Sequence, residues 1–212
     1  NEENPERLYK GLFDFRDRWI GFSPGGFTWD MSDRSPIPSG DESHLIYDPY
    51  TKLYAAFVKQ STEWGRSVYL STSPDFEEWT FPELVFKTDE IDMYNREQRI
   101  KKIVDDPAYL TPHVVEQHDF IAHCYQMAVL PYEGIYIGFP AIFNPSGRWL
   151  GANHTGISQI ELTVSRDMYN WNRVADRDLF IEVDPWDGIN YGTAQNLLCG
   201  KPIVRDSEIW IY

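Results

Sequence analysis

With 212 residues, the chain is long enough to bury a sizeable core. Its 16% aromatic and 25% charged content is biased toward β-structure and stacking surfaces, away from disorder or coiled coil. A formal charge of −14 argues against nucleic acid, which is bound by neutralising its phosphates with Lys and Arg, and leaves neutral or cationic ligands open.

Two short signals alternate along the chain. One is an aliphatic residue followed by an aromatic that opens an apolar run; the other is Ser, five residues, then Trp. The first unit carries Leu8-Tyr9 in RLYKGLF and Ser23 to Trp29 in SPGGFTW. The second carries Leu53-Tyr54 in KLYAAFV and Ser73 to Trp79 in SPDFEEW. The third carries Ile135-Tyr136 in GIYIGFP and Ser165 to Trp171 in SRDMYNW, and the fourth has Ile209-Trp210 in EIWIY before the sequence ends. Strand-turn-strand units repeated at this scale predict an all-β fold, a β-propeller, as a single domain over 1–212.

Each blade of such a fold is a four-stranded antiparallel meander, with strands A to D running outward from the axis. The first unit (8–32) reads as B near 8–15, C near 18–23 and D near 28–32, without an A strand. The second (43–86) is complete, with A at 43–48, B at 52–59, C at 66–72 and D at 78–86. In RSVYLSTS, Val68 and Leu70 face one way and Ser67, Tyr69 and Ser71 the other, which is the period of a strand. The third (121–175) has A at 121–130, B at 135–143, C at 157–164 and D at 171–175. A fourth (191–212) begins near 191 and stops after its B strand. The chain thus reads as a fragment of two full blades flanked by two partial ones, with a long insertion at 87–120. Within that insertion, YNREQRIKKIVDD (94–106) predicts a short amphipathic helix whose Arg and Lys residues form a solvated face.

The Ser-to-Trp element reads as structure. Ser and Asp close a turn through bonds to nearby backbone while Trp packs between sheets. Function is sought on the face that carries the B-to-C loops, QSTEWGR (60–66) and NPSGRWLGANHT (144–155), and the D-to-A connections, since loops held on a rigid scaffold carry function. A strands start there at Ser39–His44, at Glu116–Asp119 and at Asp184–Gly188, so each unit delivers a carboxylate to one mouth: Asp41 and Glu42, Asp119, and Asp187. Glycoside cleavage needs such an inventory, two carboxylates flanking the bond with aromatic platforms for the sugar. His44, Trp64, His118, Trp186 and Tyr191 are the candidate sugar contacts, and Glu63 stands beside Trp64. Glu133 falls in an A-to-B turn on the opposite face and is discounted.

No cofactor is expected. The five histidines are dispersed without a metal-ligand spacing, and no serine-hydrolase elbow, phosphate loop or dinucleotide fingerprint occurs. Cys124 and Cys199 either pair or remain free thiols. Asn153-His154-Thr155 is a glycosylation sequon, compatible with an extracellular or periplasmic protein. No stretch reaches the roughly 18 apolar residues of a membrane span, and NEENPERLYK does not have the form of a signal peptide.

The succession YDPYTKLYAAFVK (47–59), RSVYLSTSPDFEEWT (66–80), YQMAVLPYEGIYIGF (125–139), QIELTVSRDMYNWNRV (159–174) and PIVRDSEIWIY (202–212) resembles the five-bladed β-propeller glycoside hydrolase superfamily. That superfamily holds the invertases, levansucrases and arabinanases. The likeness is to proteins with a family 32 N-terminal-like domain, and it covers most of the chain. The invertase motifs Asn-Asp-Pro-Asn-Gly and Arg-Asp-Pro are absent. SPDFEEWT also resembles the sialidase Asp-box, with Glu77 where that box has Gly. The resemblance implies five blades when whole and three acids at the starts of inner strands, sought here at Asp41 or Glu42, at Asp119 and at Asp187. It further implies acid–base cleavage of a carbohydrate in an axial pocket, with Asp41 or Asp119 as base or nucleophile and Glu42 or Asp187 as acid. The alternative is a non-catalytic carbohydrate-binding or structural propeller.

Overall fold

The computed structural model describes residues 3–14, 16–151 and 153–212. Strands β1 (Tyr9–Phe13), β2 (Asp17–Ser23) and β3 (Asp30–Met31) form the first sheet, with β4 (Ile37–Pro38) pairing the start of β2. Phe15, the expected end of the first B strand, lies outside the described residues. The second sheet is the full four-stranded meander β5 (Ser43–Tyr47), β6 (Tyr54–Thr62), β7 (Gly65–Ser73) and β8 (Glu83–Phe86). Helix α1 (Glu90–Asp105) follows. The third sheet is built from β9 (His123–Tyr132), β10 (Ile135–Arg148), β11 (His154–Glu161), β12 (Thr163–Ser165), β13 (Trp171–Arg173) and β14 (Leu179–Ile181). Strands β15 (Ile203–Arg205) and β16 (Glu208–Trp210) form a last hairpin. Successive antiparallel meanders packed face to face make this a β-propeller segment, all-β among the described residues apart from α1 and two short 3-10 turns.

Apolar side chains cement neighbouring blades. Ile46, Phe57, Val68 and Leu70 of the second sheet meet Met127, Val129, Tyr136 and Ile142 of the third in one buried cluster. Ile20 and Phe22 of the first sheet meet Phe76, which also packs edge-on against Tyr54 and Trp79. Such interdigitation fixes the angle between blades and holds the loop ends in place.

The Ser-to-Trp elements share one geometry. Ser23, Ser73 and Ser165 each accept, on the side-chain oxygen, the backbone N–H three residues on, at 2.8, 2.8 and 2.9 Å. Each Trp indole N–H donates to the carbonyl of that same third residue, at 3.2, 3.2 and 2.7 Å. Asp75 and Asp167 add bonds from two further backbone N–H groups apiece, which the first repeat lacks because Gly25 stands there.

A-to-B turns of neighbouring blades meet on one face, where the Gly134 N–H donates to the Tyr50 hydroxyl at 2.8 Å. Buried Asp48 closes its own turn by accepting the N–H groups of Tyr50 and Thr51, and it accepts the Tyr136 hydroxyl of the next blade at 2.8 Å.

Four expectations are corrected. The 144–155 loop is mostly strand, since β10 runs to Arg148 across a bulge between Pro145 and Gly147, and β11 resumes at His154. No strand starts at 191; Gln195 instead makes a parallel bridge to Ser158, and the fourth unit's hairpin is β15–β16. The D strand of the second unit covers 83–86, because 78–82 are spent leaving the turn. Helix α1 begins at Glu90, behind an Asp89 capping box, and its Arg96 and Arg99 are buried rather than solvated. They are buried because each finds partners: Arg96 donates to the Pro145 carbonyl, and Arg99 pairs with Glu161 of β11.

Candidate functional site

The loop face expected to carry function contains a cleft of about 420 Å³ between the first two blades. Gly40 and Asp41, just before β5, form one wall; Lys59, Gln60 and Ser61 at the end of β6 and Arg66 at the start of β7 form another; Asp17, opening β2, closes it. Tyr125 of β9 adjoins it. The Lys59 ammonium sits 3.8 Å from the Tyr125 ring centroid and the Arg66 guanidinium 5.2 Å from it.

Charge in the cleft is ordered. Lys59 is buried and forms an ion pair with the half-exposed Asp41. Burial opposes ionisation of Asp41, but the bond and charge of Lys59 outweigh it and hold the carboxyl below its ordinary range. Burial lowers Lys59, with Asp41 working against it. Burial, then the charge of Asp41, raises Tyr125. Asp17 accepts the Ser39 N–H at 3.3 Å. Arg18, buried behind it, donates to the Ser43 hydroxyl at 2.7 Å and to the Asp14 carbonyl. Among the described residues, no ion pair and no side-chain hydrogen bond engages the Arg66 guanidinium.

The tip of the β6–β7 hairpin is held from below. Gly65 has φ +78°, and a Cβ there would lie 2.1 Å from His123 Nδ1, so no other residue fits. His123 Nδ1 accepts the Arg66 N–H at 3.0 Å, and burial, then Arg66, pushes this imidazole down to about 4. It is therefore a neutral acceptor at pH 7.

The other candidate residues are distributed as follows. Glu42 neighbours Asp41 and is half-buried. His44 turns inward: it is 7% exposed, and as a neutral ring it donates Nε2–H to the Val129 carbonyl at 3.2 Å, bridging two blades. Trp64 occupies the hairpin tip, with the Lys87 ammonium 5.1 Å from its ring. His118 and Asp119 line a separate groove of about 630 Å³ against Arg96, Ile100 and Val104 of α1. Asp187 is bound in its own turn, accepting the N–H groups of Ile189 and Asn190 at 2.9 Å, and Trp186 and Tyr191 are exposed beside it. Asn153 is exposed, while the Thr155 hydroxyl is taken by the Val114 carbonyl. Cys124 is buried and Cys199 exposed, both as free thiols.

The cleft therefore gathers Asp41 with Glu42 beside it, and leaves Asp119 and Asp187 in other places. Sequence reasoning missed Asp17, Lys59 and Arg66. Asp17 carried a usable signal, because it follows the B-to-C loop of the first unit, on the face already singled out. Among the described residues, no group of three or more His, Cys, Asp or Glu is placed to hold a metal ion, and no helix is long and apolar enough to cross a membrane.

His44 makes folding pH-dependent. Burial pushes it from 6.5 down to about 4, so between those values the unfolded chain binds a proton that the folded one refuses. The stability is complete above pH 6.5 and is lost as pH falls toward 4, by about 3 kcal/mol for this residue. Urea titrations at pH 7 and pH 4.5 test this: the drop should shrink in His44→Gln, and an equal drop in both proteins would refute it.

No protein-family model matches the chain, and no curated protein matches it. Solved structures do, at the level of the propeller fold. The β-1,2-mannobiose phosphorylase of Listeria innocua, solved with β-1,2-mannobiose, superposes with a TM-score of 0.56 at 14% identity over 92% of this chain. The α-L-arabinanase of Penicillium chrysogenum, solved with arabinobiose, gives 0.44 at 13% identity, over 91% of this chain and 55% of its own. The present chain spans 44% of the phosphorylase, less than half of its length.

Proposed function

We propose that this chain supplies part of the sugar site of a propeller enzyme acting on carbohydrate, with the substrate seated in the Asp41 cleft. The observation that carries the reading is the Asp41–Lys59 pair: a carboxylate kept ionised by a buried ammonium, in a cavity with Tyr125 at its edge. An ionised carboxylate suits the base or nucleophile of glycoside cleavage and not its acid. Asp17, which lines the same cleft, and Glu42, next to Asp41 in the chain, are the candidates for the acid's part. The β-1,2-mannobiose bound in the superposed phosphorylase supports the same class of substrate. Extracellular or periplasmic placement, with Asn153 glycosylated, belongs to the same reading.

Asp41→Asn is expected to lower turnover of aryl glycosides or oligosaccharides about 100-fold or more while leaving binding nearly intact. Unchanged turnover removes Asp41 from the chemistry. A second reading, a non-catalytic sugar-binding propeller, is favoured by the occupied carboxylate of Asp187 and the separate groove of Asp119. Glycan binding without turnover in the parent protein would select it.

A further inference from the structure

Arg66 is the one cation lining the cleft that makes no ion pair and no side-chain hydrogen bond among the described residues; Asp41 feels its charge only at longer range. Asp41 holds Lys59, and Arg18 is spent on the Ser43 hydroxyl and backbone carbonyls. The Arg66 side chain contacts the Tyr125 ring, and its backbone is fixed by the bond to His123 and by pairing with Ser61 across the hairpin. A guanidinium so placed has its in-plane N–H groups available to the cavity that it lines, and its hydrocarbon stem and ring contact hold it ready.

We infer that Arg66 is a specificity determinant that receives the carboxylate of an acidic sugar, a uronate, in the Asp41 cleft. The inference rests on the proposal that this cleft binds carbohydrate. A carboxylate matches the planar fork of guanidinium with two parallel bonds, whereas a neutral hydroxyl leaves the charge uncompensated in a partly desolvated wall. The overall charge of −14 works against an anionic ligand at long range. At the Tyr125 wall the local balance is different, because Lys59 and Arg66 both stand over that ring. The His123 and His154 rings, each lowered by burial and then by Arg66, register the positive charge of Arg66 on this wall, which Asp41 also feels.

The test is calorimetric titration of the full chain with a panel of uronate-containing oligosaccharides and their carboxyl-reduced counterparts, which differ only in that group. The acidic member of at least one pair should bind about tenfold or more tightly, as expected for a charge-assisted bidentate contact. Arg66→Gln should erase the difference between acid and reduced sugars, and Arg66→Lys should keep part of it. Circular dichroism of both variants verifies that the hairpin and fold are retained. Equal affinity for acid and reduced sugars throughout overturns the role of Arg66 and leaves the sugar site standing. Binding of neither kind overturns both. Inorganic phosphate is the third arm: if it binds at the Arg66-dependent site while the acidic sugars show no preference, the guanidinium serves a free oxyanion and the uronate assignment falls.

Discussion

Glu161→Gln is expected to cost about 3–5 kcal/mol of folding stability, a large share of the roughly 5–15 kcal/mol that holds a domain together. Glu161 is fully buried and sits in a chain of six alternating charges. One of its oxygens faces Arg99 of α1 at 2.8 Å and the other faces Arg173 of β13. Arg173 reaches on to Asp92, also fully buried, at 2.8 Å. Arg177 then joins Asp92 to Asp89, with two bonds of 2.6 and 2.7 Å to the latter. Three arginines match three carboxylates, so the set is neutral only when complete. Burial pushes the Glu161 carboxyl up, and Arg173 and Arg99 hold it back; removing its charge leaves buried Arg99 with only a backbone carbonyl and Arg173 with Asp92 alone, so the buried set carries a net positive charge. A fall in urea midpoint at constant m-value would show the loss. The exposed pair Lys101–Asp105 supplies the contrast, since Lys101→Ala should cost about 0.5 kcal/mol or less. Equal effects at the two places would refute the network's role.

That network also marks where the sequence stops being legible. The Ser-to-Trp turns could be read from the chain because every bond in them spans at most three residues, so local order alone placed the turn itself in three units, while the D strand after the second turn starts later than its sequence suggested. Helix α1 was legible by pattern, but Arg96 and Arg99 looked solvated because their partners lie far along the chain, 62 residues away for Glu161. The cleft behaves the same way. Asp41 announced itself as an acid before an inner strand. Lys59 closes YAAFVK, which reads as an ordinary strand end, and Arg66 reads as a hairpin charge; their convergence exists only once β6 and β7 are paired beside β9. His44 was misleading for the opposite reason: a polar residue at a strand start looks like a site residue until a carbonyl of the next blade claims it. The irregular run at 184–198 had no strand period to correct the expectation of an A strand at 191.

Phe76→Ala should cost about 3–5 kcal/mol, and Phe76→Gly should cost about 1 kcal/mol less, although glycine removes more of the side chain. The reason lies in the turn. The third residue after Ser has positive φ in all three repeats: +81° at Gly26, +68° at Phe76 and +67° at Met168. A left-handed backbone costs an L-residue about 1–2 kcal/mol, so a large side chain is retained there only if its burial outweighs that cost. Phe76 and Met168 meet the condition, at 0% and 2% exposed; Phe76 fills the seam between the first two blades, and Met168 joins the cluster shared by the second and third. Truncation to Ala loses the burial and keeps the strain, whereas Gly loses the burial and releases the strain, offset in part by its freer unfolded chain. Gly26 shows the strain-free state already, and Gly26→Ala should cost about 1 kcal/mol for the same reason. Urea unfolding of the two Phe76 variants decides the point. An Ala variant as stable as the Gly variant would mean that the turn relaxes once the ring is gone, and that the positive φ belongs to the packing of Phe76 rather than to the Ser-to-Trp turn itself.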